Sequence, residues 1–405
     1  MKKIIFFFLL LPCVTFAQIE VKRLHDHIEY LASDKLKGRA TSTKGALKAA
    51  KYVAKQFKKI GLIPKGTDGY DAPFTYHQAS NPHAIENANS PAKESKNVVG
   101  YIDNGAEYTI IIGAHYDHLG EGEDGNSLDP NPKGKIHNGA DDNASGTAGV
   151  IELARYYQNN GKKEPYNLLF MAFSGEELGL YGSKKFCENP TIDLSKVHLM
   201  LNMDMIGRYN EEKAMVVGGV GTAPQLYGLV NYTKDKIHVK IDSAGIGPSD
   251  HTSFYLKNIP VFFFFTGQHS DYHKPTDDAE KINYEGEADV LAFAIRLLDG
   301  AMTFPKFTFT PTKSNQVKSS GFKVTLGIMP DYVFEGKGMR IDGVTDGRPA
   351  FKAGLKTGDI VIKIGDTEVL DVQTYMQGLS KFKKGDSTTV KVKRGVEEIE
   401  AAVSF

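Results

Sequence analysis

The sequence predicts an α/β fold with a mixed, mostly parallel central sheet flanked by helices, followed by a small β-rich domain. Between Asn97 and Phe265, short and nearly continuous apolar runs alternate with stretches of helical periodicity. Strands apolar on both sides belong inside a sheet whose two faces are both covered, which is how helix-separated parallel strands pack. After Pro305 the texture changes to short strands and frequent Gly turns, which marks a second unit.

Taken in order, Lys2-Lys3, the apolar run Ile4 to Pro12 and the small residues of Thr15-Phe16-Ala17 form a secretory signal over residues 1–17, cut between Ala17 and Gln18. The apolar stretch is shorter than the roughly 20 residues of a spanning helix, so no stable membrane span is expected. Lipidation at Cys13 is disfavoured because Leu10-Leu11-Pro12 lacks small residues. The chain is therefore expected to be exported, to the periplasm or beyond. Residues 18–304 are expected to form the first domain. It starts with helical periodicity at Leu24, Ile28 and Leu31, then at Ala46, Ala49, Val53, Phe57 and Ile60, stopping at Gly61. Residues 63–96 are rich in Gly, Asn, Ser and Pro and are expected to be loop. Strands are expected at 98–101, 109–114, 167–173, 197–205, 215–218 and 260–265, with helices at 146–158, 221–234 and 288–302. The four consecutive phenylalanines from Phe262 fit one central strand buried on both sides. Pro305 to Ser320 is Pro/Thr/Lys/Ser-rich and is expected to be a linker, leaving 321–405 as the second domain.

The 405 residues carry 49 basic and 49 acidic side chains, so no basic surplus exists to attract nucleic acid. Once the signal is removed, Cys187 is the one cysteine left, so no internal disulfide holds an exported chain together. Stability must come from packing, helped by any bound metal.

The residues that carry chemistry sit at strand ends, where open α/β sheets place their sites. Strand 109–114 runs into His115-Tyr116-Asp117-His118, and a loop then brings Asn138-Gly139-Ala140-Asp141-Asp142-Asn143 to a helix start. Strand 167–173 runs into Ser174-Gly175-Glu176-Glu177, strand 197–205 into Asn202-Met203-Asp204, and Asp271-Tyr272-His273 follows strand 260–265. Imidazoles and carboxylates gathered in this way suit zinc, and a carboxylate can bridge two ions. Alone, Asp141-Asp142 would fit a helix cap and Glu176-Glu177 a solvated first turn.

As a set, His115-Tyr116-Asp117, Gly139-Ala140-Asp141-Asp142-Asn143-Ala144-Ser145-Gly146, Gly175-Glu176-Glu177, Asn202-Met203-Asp204 and Tyr272-His273 resemble the co-catalytic dizinc exopeptidases, secreted bacterial aminopeptidases related to glutamate carboxypeptidase. The resemblance spans Leu24 to Met302. It implies two zinc ions per chain, one on His115 and Asp204, the other on Glu177 and His273, with Asp141 bridging and a cis Asp141–Asp142 peptide. It makes Glu176 the general base that takes a proton from the attacking water, Tyr272 a donor to the oxyanion, and Asp117 the acceptor of the other ring N–H of His115. The activity implied is release of N-terminal residues from peptides. A glutaminyl cyclase, a carboxypeptidase with Arg208 on the terminal carboxylate, and a metal-free binding protein are the alternatives on this fold. Arg208 could equally pair with a nearby carboxylate, Ser249-Asp250-His251 could line the substrate pocket or cap a helix, and His118 and His137 could support the ligands or lie at the surface. Side-chain preference is not legible.

Residues 321–405 resemble a PDZ domain through Thr325-Leu326-Gly327-Ile328-Met329 and Gly347-Arg348-Pro349-Ala350 to Gly358-Asp359. The resemblance implies a groove for a peptide C-terminus, with the ligand added as a strand at a sheet edge.

Overall fold

A computed structural model describes residues 19–78, 90–212, 214–312, 324–330, 334, 336–344 and 347–405. The expected signal at 1–17 lies outside these residues, as does the second half of the expected linker, 313–320.

Among the described residues, seven α-helices and nine strands form the first unit. Helices α1 (Val21–Leu31) and α2 (Lys44–Ile60) place their apolar stripes inward, and α2 ends at Gly61 in the left-handed conformation at φ 92°. Strands β1 (Ile63–Pro64), β2 (Asp71–His77) and β3 (Ala92–Ile102) follow. Strand β2 corrects the expectation of loop across 63–96. It pairs with β3 along its whole length, Asp71 opposite Val98 and His77 opposite Ala92. The period-2 signal of Ala72, Phe74 and Tyr76 is short and half-polar, as befits an edge strand.

The sheet continues through β4 (Thr109–His115), β5 (Asn167–Phe173), β6 (Val197–Met203), β7 (Met215–Gly218), β8 (Val239–Ile241) and β9 (Val261–Phe265), in the order β1-β3-β5-β4-β6-β9-β7-β8. The central four, β5-β4-β6-β9, are parallel, and antiparallel neighbours flank them at β3 and β7. Every residue of these four is buried. Alternate residues serve opposite faces. Ile110, Ile112, Leu168, Phe170, Leu199 and Leu201 meet α1, α2, α3 (Gly146–Asn159), α5 (Leu226–Thr233) and α7 (Tyr284–Ala301). Ile111, Leu169, Met171 and Met200 meet α4 (Tyr181–Glu188) and α6 (His251–Tyr255). The four phenylalanines obey the same rule, Phe264 stacking on Phe293 of α7 at 5.3 Å while Phe263 and Phe265 face the other way. Packing across β4 requires Gly113, because a Cβ there would sit 2.4 Å from the Phe173 ring.

The stretch expected to open a linker is docked up to Thr312. Phe307 is buried against His198, rings stacked at 4.0 Å, and its N–H donates to His198 Nδ1 at 3.1 Å. Thr310 N–H donates to Thr222 O at 2.8 Å and Thr312 N–H to Tyr255 Oη at 3.0 Å. Polar composition suggested linker here, but two phenylalanines, Phe307 and Phe309, supply the apolar contact.

The second unit has its own core around Leu326, Ile341, Val361, Ile364, Val390 and Val392. Its antiparallel sheet runs β10 (Ile328–Pro330), β11 (Met339–Val344), β12 (Ile360–Ile364), β14 (Ser387–Arg394), β15 (Glu397–Ser404), with β13 (Thr367–Glu368) on β12. Helices α8 (Pro349–Lys352) and α9 (Val372–Leu379) pack on it, and α9 starts with a reciprocal cap between Asp371 and Thr374.

Candidate metal centre

The parallel register brings four strand ends together. His115 pairs with Phe173 at the ends of β4 and β5, and Asn202 pairs with Phe263 across β6 and β9. The loops leaving these ends carry the site.

His115 is buried, its Nδ1 bonded to the Asp117 main-chain carbonyl at 3.2 Å and its Nε2 aimed at Asp142 Oδ1 (3.4 Å) and Asp204 Oδ1 (3.5 Å). On the far side of the same carboxylate, His273 Nε2 lies 3.2 Å from Asp142 Oδ2 and 3.2 Å from Glu177 Oε2. His273 Nδ1 donates to Asn126 O at 2.9 Å, and Asn126 Nδ2 in turn donates to Glu177 O at 2.9 Å, tying the His273 and Glu177 loops together. Glu176 points beside the cluster, Oε2 4.0 Å from His115 Nε2, and Tyr272 stacks on the His273 ring at 3.9 Å.

Of the two adjacent aspartates, Asp142 faces both imidazoles, whereas Asp141 turns away. Asp141 Oδ1 accepts from Gly207 N–H at 2.7 Å and its Oδ2 lies 3.1 Å from His269 Nε2. This corrects the expectation of Asp141 as the shared ligand, and the cis peptide falls one residue later, between Asp142 and Asn143. The reason lies in distant partners. Asp277, buried, accepts both the Asp141 and Asp142 N–H groups at 2.9 and 3.1 Å, and Gly207 supplies the donor that draws Asp141 outward.

Asp117 is likewise adjusted. Its carboxylate is 3.7 Å from His115 Nδ1 and accepts instead from Thr41 Oγ1 (2.7 Å) and Glu176 N–H (3.3 Å), so it orients the loop that carries Glu176. Arg208 meets carboxylates of the protein, 3.1 Å from Asp277 and 3.5 Å from Asp271. Asp250 is buried with both oxygens unpartnered among the described residues. His251 stacks on Phe263 at 4.4 Å, and burial depresses it to about 3.

Arg39 escaped the sequence reading, and His118, left open there between support and surface, is buried beside Glu177. Arg39 is fully buried, and its guanidinium donates to Tyr116 O (2.8 Å), Asn138 O (2.6 Å) and Gly139 O (3.0 Å), clamping the loops that follow His115 and precede Asp142, while burial lowers its pKa to about 10. His118 is buried with Nδ1 2.7 Å from Glu177 Oε1. The signal for Arg39 is weak, an arginine after Gly38 in a segment with no other chemistry.

The electrostatics divide the two neighbouring glutamates. Burial pushes Glu176 well above the usual carboxylate range, with Glu177, Asp204 and Asp250 adding to it against His115. Burial would raise Glu177 too, but His273 and the hydrogen bond from His118 hold it at about 2. Burial also works against the charge of Asp142, and His118, His115 and His273 outweigh it, keeping Asp142 well below its ordinary value. Burial would lower His115 and His273; Glu176 and Asp204 beside the first, Glu177 and Asp142 beside the second, raise both well above normal. Adjacent carboxylates with pKa values driven apart are the arrangement for an acid–base group beside a permanent anion.

The donor set fits zinc. His115 Nε2 is buried without a hydrogen-bond partner among the described residues, although two carboxylate oxygens lie within 3.5 Å. Tetrahedral zinc with bonds near 2.0–2.1 Å separates its ligand atoms by about 3.3–3.4 Å, and the separations here run from 3.2 to 3.5 Å. His115, Asp142 and Asp204 form one such group.

Residues 97–298 match Peptidase family M28, and residues 312–405 match the PDZ domain. The chain is 26% identical over 351 residues to the uncharacterized protein YfbL of Escherichia coli, covering 74% of this chain and 99% of that one. It is 32% identical over 176 residues to a probable leucine aminopeptidase of Arthroderma otae, covering 41% of this chain but only 45% of that protein. A Zn-dependent exopeptidase from Parabacteroides distasonis shares the fold, with a TM-score of 0.55 at 17% identity over 69% of this chain and 98% of that one.

Proposed function

The chain is a metallopeptidase of family M28 with a PDZ domain behind it, and on that premise we propose that it is an exported aminopeptidase that works with two zinc ions. His115 and Asp204 would hold one ion, Glu177 and His273 the other, and Asp142 both. The observation that carries this reading is the split of Asp142, Oδ1 toward His115 and Oδ2 toward His273. When bound, such an ion pair lowers the pKa of water and polarises a carbonyl.

The chain's own groups do the rest. Glu176 lies beside the ligands, its Oε2 4.0 Å from His115 Nε2 where Asp142 and Asp204 stand at 3.4 and 3.5 Å, and accepts the proton of the attacking water before handing it to the departing amine. The Asp117 carboxylate fixes it in place through the Glu176 N–H. Tyr272, at the rim against His273, donates its O–H toward the developing oxyanion. Met205, Val216, Phe263 and Phe265 form a small apolar wall with Tyr272, next to Asp204 and His273, which suits an apolar N-terminal side chain. Arg208 is engaged by Asp277 and Asp271, which favours amine-end over carboxylate-end recognition. In the second unit β10 is the end strand of its sheet and Leu326 O accepts from Ala350 N–H at 2.9 Å, a frame in which the 325–329 loop would receive a peptide C-terminus. Export rests on the residues 1–17 pattern; among the described residues no helix is long and apolar enough to cross a membrane.

The test is Glu176→Gln. The amide cannot take the proton, so turnover should fall about 100- to 10,000-fold with zinc content unchanged. Near-normal turnover would remove Glu176 from the role.

A further inference from the structure

We infer that His118 is a positioning residue that fixes which oxygen of Glu177 faces the second metal; the inference rests on the proposed two-zinc reading. His118 is 2% exposed, and its ring lies against Gly139, where an added Cβ would meet the ring at 2.4 and 2.5 Å. Gly139 itself has φ 57° and its carbonyl accepts from Arg39, so the backbone that seats the ring is fixed in turn. The seated ring brings Nδ1 to 2.7 Å from Glu177 Oε1. An ionised carboxylate only accepts, so Nδ1 carries the proton and donates. The other oxygen, Oε2, is then the one turned to His273 Nε2 at 3.2 Å.

The chemical consequence concerns coordination. A carboxylate free to rotate can bind a cation through both oxygens and fill the position that substrate needs. A hydrogen bond that claims Oε1 leaves Oε2 as the single ligand atom and keeps a place open. His118 Nδ1 also lies 3.8 Å from Asp142 Oδ2, so the ring could instead be read as a ligand. One nitrogen cannot both donate to Oε1 and bind metal, and this makes the two roles separable.

The experiment titrates zinc into the metal-free full-length chain by calorimetry, for the wild type and for His118→Asn, His118→Gln and His118→Leu. The asparagine amide nitrogen takes the place of Nδ1 and the glutamine nitrogen that of Nε2. Expected are two ions in the wild type, both sites within a few-fold of wild type in His118→Asn, and one site weakened about 10- to 100-fold in His118→Gln and His118→Leu. If the leucine variant does not fold, the contrast between asparagine and glutamine decides. Wild-type affinities in every variant would overturn the inference while leaving the two-zinc reading intact. Equal loss in the asparagine and glutamine variants would overturn it in favour of a ligand. A wild type that holds a single ion would overturn the two-zinc reading and this inference with it.

Discussion

Replacing Asp142 by Asn should lower the zinc content of the centre, whereas the same change at Asp141 should spare it. Asp142 Oδ1 lies 3.4 Å from His115 Nε2 and its Oδ2 3.2 Å from His273 Nε2, so one substitution weakens both proposed sites. Zinc held by four protein ligands is worth about 10–16 kcal/mol, or roughly 2.5–4 kcal/mol per ligand. The Asn at 142 keeps one uncharged oxygen, so one ion loses a ligand and should bind about 70- to 900-fold more weakly, while the other trades a carboxylate for a neutral amide oxygen and should weaken by less. The Asn at 141 keeps an oxygen for the Gly207 N–H and loses only the charge that faces His269, 3.1 Å away. Its zinc content should stay at two, with a stability loss of about 1 kcal/mol. Zinc per chain after dialysis at a buffered free-metal concentration is the assay. Two ions retained by Asp142→Asn, or loss in Asp141→Asn, would refute the assignment.

Three further outcomes follow from residues beyond the centre. Burial, with Lys306 adding to it, lowers His198 from 6.5 to about 4, so the unfolded chain binds its proton first as pH falls. That stabilisation is complete above pH 6.5 and is lost down to about pH 4, an effect of about 3 kcal/mol; denaturant midpoints of His198→Gln should change less over this range than those of the wild type, and an identical slope would contradict it. A chain ending at Thr312 should keep its melting temperature, zinc and hydrolysis of dipeptide analogues while its KM for long peptides rises through lost tethering. A chain ending at Phe304 should melt lower, since it gives up buried Phe307, worth about 3–5 kcal/mol; equal loss of long and short substrates in the first truncation would contradict tethering.

The central strands and the loops at their ends were legible because apolar continuity and polar strand ends are local properties of the sequence. Phe262 to Phe265 needed no partner information to be read as a strand buried on both sides. The choice between Asp141 and Asp142 was not legible, since what draws Asp141 away includes Gly207 and His269, more than sixty residues away in the chain. The same holds for Asp117, whose carboxylate is claimed by Thr41, and for Arg39, whose role exists only once the 116 and 138–139 carbonyls converge on it. Strand β2 was hidden by its half-polar edge character, and the docking of Phe307 by the polar residues around it.

The most direct measurement follows one peptide, with an apolar N-terminal residue, by mass spectrometry after exposure to the zinc-loaded chain, the chelated chain and zinc-loaded Glu176→Gln. A second peptide that begins with Gln is run alongside. A zinc-dependent aminopeptidase predicts a ladder shortened from the N-terminus in the first sample alone, with two zinc ions per chain in both loaded proteins. Shortening from the C-terminus, loss of ammonia from the Gln peptide without cleavage, or a ladder that survives chelation would contradict it.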